Sequence, residues 1–210
     1  ASRNEKLGLY SAHLKMITLQ KPADLQSFED KICSELSIRT PKLIVFIGSA
    51  SFILCDDLNR QWPDIPMILC GERDYTGPDS IIATGHALTP EQRIPLSSLQ
   101  GKLNLTMMHA NIYIEENLRL MKQLIPEMNK VLYVGDESYI CQQNNYDLSE
   151  NIRNKHPEIQ YEFISAKDTS TDSLFTILNH IDTKTTGILF SSWIRKGDFD
   201  ALFSSYAVVG

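Results

Sequence analysis

Five short apolar runs, each ending abruptly in small or polar residues, constrain this chain more than any other feature. Residues 43–47 run into Gly48 and Ser49, 67–70 into Gly71 and Glu72, and 131–134 into Gly135 and Asp136. Residues 161–164 run into Ser165 and Ala166, and 187–190 into Ser191, Ser192 and Trp193. Runs of this length, bounded by turn residues and separated by helix-like stretches, read as buried parallel strands of an α/β protein. Ligands of open α/β sheets bind just beyond the carboxyl ends of the strands. The segments after these runs are therefore where function is expected.

The stretches between the runs carry helical periodicity. Leu25, Phe28, Ile32 and Leu36 predict a helix over 23–36 with Asp24 near its start. Phe52, Cys55, Leu58 and Trp62 predict a second over 52–62, stopped by Pro63. The alternation of 14–19 reads as a strand, so 14–70 reads as two successive βαβ units. A second series begins with an amphipathic helix over 112–128 and continues with helices over 139–155 and 173–181 between the later strands. The connecting segment 73–111 is rich in Gly, Pro, Thr and Ser, with short strands expected at 81–84 and 105–108. The organisation expected is an N-terminal α/β lobe over 1–108, with 73–111 as its connecting segment, and a C-terminal α/β lobe over 109–210, with a cleft between. Residues 1–13 read as a helix with no strand before it and 206–210 as an apolar stretch with nothing after it, so both ends read as trimmed.

At 210 residues the chain can bury a sizeable core. Its net charge of −6 supplies no electrostatic footprint for nucleic acid. No apolar run approaches the roughly 20 residues of a membrane-spanning helix, so membrane association is expected only through segments outside this chain. Cys33, Cys55, Cys70 and Cys141 show no metal-ligand spacing with one another or with histidine, so no metal and no cofactor is expected. Cys33 and Cys55 fit apolar helix positions, and a Cys55–Cys70 disulfide is left open. The phosphate-binding fingerprints and the nucleophile elbow are absent, and no local motif composes a catalytic set.

Several strand ends could still hold a ligand. Ser49, Ala50 and Ser51 offer hydroxyls and backbone N–H groups, although helix capping alone accounts for them. Glu72 and Arg73 offer a carboxylate and a guanidinium, with a surface pair between Arg73 and Asp74 or Glu72 as the simpler expectation. Asp136, Glu137 and Ser138 could contact a small ligand or merely favour the helix that follows. Ser192 and Trp193 place an indole at a strand end, where stacking on a ligand competes with core packing. His109, beside Asn111 at the lobe junction, is the histidine most worth testing; His156 and His180 fall on helix ends.

The run Pro63-Asp64-Ile65-Pro66-Met67-Ile68-Leu69-Cys70-Gly71 resembles a strand element of type I periplasmic binding proteins of the ABC-transporter substrate-binding kind. Residues 41–49 look like that family's previous strand, and 117–126 running into 130–134 is similar to its helix–strand opening of lobe two. Residues 188–193 resemble versions fused to hybrid two-component histidine kinases of Bacteroides-like bacteria. The family's usual opening strand is missing, and its "G-x-V-T-G-V" crossover is here only residues 101–107. The resemblance implies two Rossmann-like lobes, with parallel sheets flanked by helices, closing on a small molecule. Carried over by position, its contacts are Ser49, Ala50, Ser51, Glu72, Arg73, His109, Asn111, Asp136, Glu137, Ser138, Lys167, Asp168, Ser192 and Trp193. The expected function is a periplasmic, non-enzymatic sensor domain of a membrane histidine kinase, the kinase itself lying outside this chain. A free solute-binding component of an importer is the alternative, followed by an α/β enzyme. The expected ligand is a sugar, an amino acid or an aromatic acid, and a homodimer is compatible with the reading.

Overall fold

A computed structural model of the chain describes residues 8–14, 22–37, 40–99 and 101–194. It is an α/β protein built on two separate three-stranded sheets, both parallel throughout. All five apolar runs form strands. The first sheet has the order β1 (Ile44–Ile47), β2 (Met67–Gly71), β5 (Leu105–His109). The second has the order β7 (Gln160–Ser165), β6 (Lys130–Gly135), β8 (Thr186–Phe190). A two-residue antiparallel pair, β3 (Tyr75–Thr76) with β4 (Ile94–Pro95), lies in the segment between them.

Helix α1 (Pro22–Leu36), a 3-10 turn over Ser49–Leu54, α2 (Cys55–Gln61) and α3 (Asp79–Ala83) belong to the first half. Phe46, Met67 and Leu69 of the sheet pack with Ile32, Phe52, Leu58, Trp62 and Ile82 in one core. Each fully buried Met or Leu there contributes about 1.5–3 kcal/mol. The other sheet face is open: Ile47 is 81% exposed and Met108 61%. The strand pattern implied burial on both faces, and the first sheet departs from it. In the second half β6 is the central strand and is buried along nearly all its length. Val131 and Tyr133 pack under α4 (Ile114–Leu124) and α5 (Tyr139–Lys155). Leu132 and Val134 pack on the opposite side with Leu174 of α6 (Thr171–Asn179) and with Trp193. Each half thus buries one tryptophan, Trp62 in the first and Trp193 in the second.

Several sequence expectations are corrected. Residues 81–84 are not a strand but the end of α3 and the turn after it: Asp79 follows Pro78 into a first helical turn, and Gly85 at φ +76° closes the element. The first long helix of the second half spans only 114–124, because Ile125, which precedes Pro126, leaves the helical region at φ −126° and ψ 79°. The predicted 52–62 helix begins earlier, as the 3-10 turn, and ends where Trp62 turns extended ahead of Pro63. Residues 8–13, expected in a helix, form no regular element, and Leu9 stands in solvent. The expected strand over 14–19 falls outside the described residues except for Leu14, as do 1–7 and 206–210. Cys55 and Cys70 are both free thiols. Cys55 meets Met67, whereas Cys70 lies three residues along β2, on the opposite sheet face, beside Met108. Strand alternation therefore keeps the two thiols apart.

Candidate functional site

The two halves meet along a polar seam centred on Asp147 of α5. Arg73, just past the end of β2, directs Nη1 to Asp147 Oδ2 at 2.5 Å and to the Tyr75 hydroxyl at 2.8 Å, and Nη2 to Asn144 Oδ1 at 2.5 Å. Arg93 donates to the other Asp147 oxygen at 2.6 Å and lies 4.5 Å from the centroid of the Tyr75 ring. Gln143, one turn earlier on α5, accepts from the Leu88 N–H at 2.7 Å and donates to the Leu88 carbonyl and to Asp147. The expected surface pair of Arg73 with Asp74 or Glu72 is thus replaced by a buried pair with Asp147, and Arg73 is only 5% exposed. A charge so desolvated needs a partner and several hydrogen bonds, and α5 supplies both. Tyr139, the first residue of α5, packs into the first half's core, and burial pushes its phenol pKa up. Gly85 lies so close to the Glu137 carbonyl that a Cβ there would approach its oxygen to 2.4 Å.

Beside the seam opens a cleft of about 500 Å³ at the carboxyl ends of β2 and β5. Glu72, Arg73, His109 and Asn111 border it from the first sheet's strand ends, and Asp147 and Asn151 from α5. Three of these residues keep a buried polar atom with no partner: Glu72 Oε1, Arg73 Nε and Asn151 Oδ1. Buried polar atoms are ordinarily paired; two more unpartnered atoms, Arg93 Nε and Asp136 Oδ2, belong to residues that do not border the cleft. Tyr75 and the half-exposed Tyr113 add aromatic surface, and burial pushes the Tyr75 phenol up against the opposing effect of Arg73.

The other sequence candidates divide otherwise. Ser49 is consumed by the fold: its N–H donates to Glu72 Oε2 at 3.1 Å and its hydroxyl accepts from the Arg73 N–H at 3.2 Å. Ala50 is core, and Ser51 donates to the Gly48 carbonyl at 2.7 Å. Past β6, Asp136 is fully buried; Oδ1 accepts from the Ser138 N–H at 2.9 Å, and Oδ2 has no partner. Glu137 accepts from the Ser165 hydroxyl at 2.8 Å and lies 4.0 Å from the Lys167 ammonium. Lys167 and Asp168 are exposed. Ser138 precedes α5, but its side chain makes no cap hydrogen bond. Ser192 meets the Cys141 thiol at 3.3 Å. Trp193 is buried, with its indole N–H donating to the Thr171 hydroxyl at 3.2 Å, so core packing accounts for it. Asp136, Glu137, Ser138, Lys167, Asp168 and Ser192 do not border the β2–β5 cleft.

Sequence reasoning missed Asp147, Asn151, Gln143 and Arg93. The signal lay in α5, where Gln143, Asp147 and Asn151 recur at four-residue spacing on a helix already carrying an apolar stripe through Leu148 and Ile152. A second depression of similar volume, under Leu118, Pro126 and His156, lies between α4 and the end of α5. Glu115 pairs there with His156, and Lys122 with Glu158 outside the lining, while Arg119 forms no ion pair among the described residues. Among the described residues no group of three or more acidic, His or Cys side chains could hold a metal, and no helix is long and apolar enough to cross a membrane.

No family model and no curated protein matches the chain. Among solved structures, the sulfide:quinone oxidoreductase from the hyperthermophilic bacterium Aquifex aeolicus is similar over 74% of this chain, at 13% identity and a TM-score of 0.27. The matched region spans about half, 52%, of that protein. Similarity at this level carries no argument about fold or function.

Proposed function

We propose that this chain is the extracytoplasmic sensing domain of a two-component histidine kinase. In this reading two Rossmann-like lobes of the type I periplasmic-binding-protein kind, 1–108 and 109–210, hold a small molecule between them. The observation that carries it is the cleft at the carboxyl ends of β2 and β5, which faces α5 of the other half and is bordered by Glu72, Arg73 and Asn151, each with an unpartnered polar atom. A guest there touches both halves, so it binds one arrangement of them better than another, and that difference is what signalling requires. The Arg73–Asp147–Arg93 seam is what such a guest adds to or works against; a tenfold difference in affinity between two arrangements shifts their balance by about 1.4 kcal/mol.

The test has two stages. A metabolite screen by thermal unfolding should find a ligand that, at 100 times its dissociation constant, adds about 2.7 kcal/mol to stability, with the gain reduced by Asn151→Ala. The same ligand should then change the autophosphorylation rate of the full-length protein. Binding at the cleft with an unchanged rate overturns the sensor reading, and ligand-independent stability across the screen overturns the cleft as its site.

A further inference from the structure

The charge around the cleft is one-sided. Among the residues that border the opening, Arg73 and Asp147 cancel, and Glu72, Asp74 and Glu116 remain. Among the described residues none of these three forms an ion pair, and the balance of the bordering residues is negative by three. The guanidinium of Arg73, which would be the obvious anchor for an acid, is already committed: both terminal nitrogens are bonded to Asp147, Asn144 and Tyr75. Among the bordering residues, two acceptors, Glu72 Oε1 and Asn151 Oδ1, remain unpartnered against one donor, Arg73 Nε; Arg93 Nε and Asp136 Oδ2, also unpartnered, lie away from the cleft. The exposed ring of Tyr113 at the rim adds a face that attracts cations.

We propose that this cleft takes a small organic cation, a primary amine that also carries a hydroxyl or carbonyl oxygen, and discriminates against free carboxylic acids. The carboxylates of Glu72, Asp74 and Glu116 draw the ammonium in. Glu72 Oε1 and Asn151 Oδ1 accept from it, and Arg73 Nε donates to the oxygen, once side chains at the rim shift to uncover these three atoms, which are closed to solvent in the structure. The inference rests on the reading of this cleft as the ligand site and narrows the ligand class left open by the sequence. An aromatic acid is disfavoured, because its carboxylate would meet unpaired Glu72 with no free guanidinium terminus to receive it.

The test uses three probes of nearly equal size that a cleft of this volume admits: ethanolamine, ethylene glycol and glycolate. Each is titrated into the isotope-labelled chain while the backbone amide resonances of Glu72, Arg73 and Asn151 are followed. Ethanolamine should shift these amides and bind about tenfold more tightly than glycolate, the preference falling as salt rises. Glu72→Gln should remove most of that preference. Glu116→Gln, at an exposed position where folding is not at stake, should reduce it in part, and Asp56→Asn, at an exposed site that does not border the cleft, should leave it unchanged. Equal or tighter binding of glycolate at the same amides overturns the amine inference while supporting the cleft. Silence of these amides toward all three probes overturns the cleft reading itself.

Discussion

Arg73 shows how one side chain ties a local turn to a distant element. It lies two residues past Gly71, the end of β2; its N–H is held by Ser49, and its guanidinium ends on Asp147, 74 positions further along the chain. Because Arg73 is almost wholly buried while Arg93 remains partly exposed, the two arginines respond differently to loss of the shared carboxylate. Asp147→Ala leaves the Arg73 charge buried and unpaired, and should cost about 3–5 kcal/mol in urea unfolding. Arg93→Ala should cost much less, since water reaches the group it leaves behind. A loss below about 1 kcal/mol for Asp147→Ala would mean that water, not α5, satisfies Arg73.

Among the elements, α1, α2 and α3 bring carboxylates together inside the first half. Glu29 is buried, and its pKa is pushed up to about 7, first by burial and then by its hydrogen bond to Asp57 and the charges of Asp57, Asp79 and Asp30. Asp79, at the exposed start of α3, is raised to about 6, first by partial loss of water around its carboxyl and then by Asp56 and Asp57; Asp57 pairs with Arg60 at 2.5 Å. Both carboxyls hold their protons more tightly folded than unfolded, so the stability they allow is fully present below the ordinary carboxylate range. It is lost as pH rises toward about 7. Glu29→Gln should therefore stabilise the protein at pH 8, by on the order of 1–3 kcal/mol, and change little at pH 4, as read by denaturation at the two pH values. A variant as pH-sensitive as the parent would sink this account. The strands were legible because a buried parallel strand leaves a compact signature, an apolar run cut by Gly or Ser. Helix α3 was not, since five residues hold too little periodicity to distinguish Ile81 and Ile82 in a helical turn from a strand. Of the cleft, Glu72 and Arg73 were legible from the position rule of α/β sheets, and His109 and Asn111 from their place at the expected lobe junction. Asp147 was not, because the partner of Arg73 is fixed only by how the two halves pack.

Across the whole molecule, two sheets with separate cores are joined by polar contacts and by Tyr139, an aromatic residue that one half lends to the other. Such a junction makes the halves depend on each other, and the open face of the first sheet leaves apolar side chains such as Ile47 and Met108 in solvent. The seam, more than either core alone, is therefore what should decide whether the chain melts in one step or two. The two tryptophans, one in each core, turn this into an optical measurement. In Trp193→Phe the remaining indole fluoresces only from the first half, and in Trp62→Phe only from the second, so each variant reports the melting of a single half. In each variant the fluorescence transition should coincide with that variant's own far-ultraviolet circular dichroism transition. Adding Asp147→Ala to both should pull fluorescence and dichroism apart, the two single-tryptophan variants recording, in effect, two proteins where there had been one.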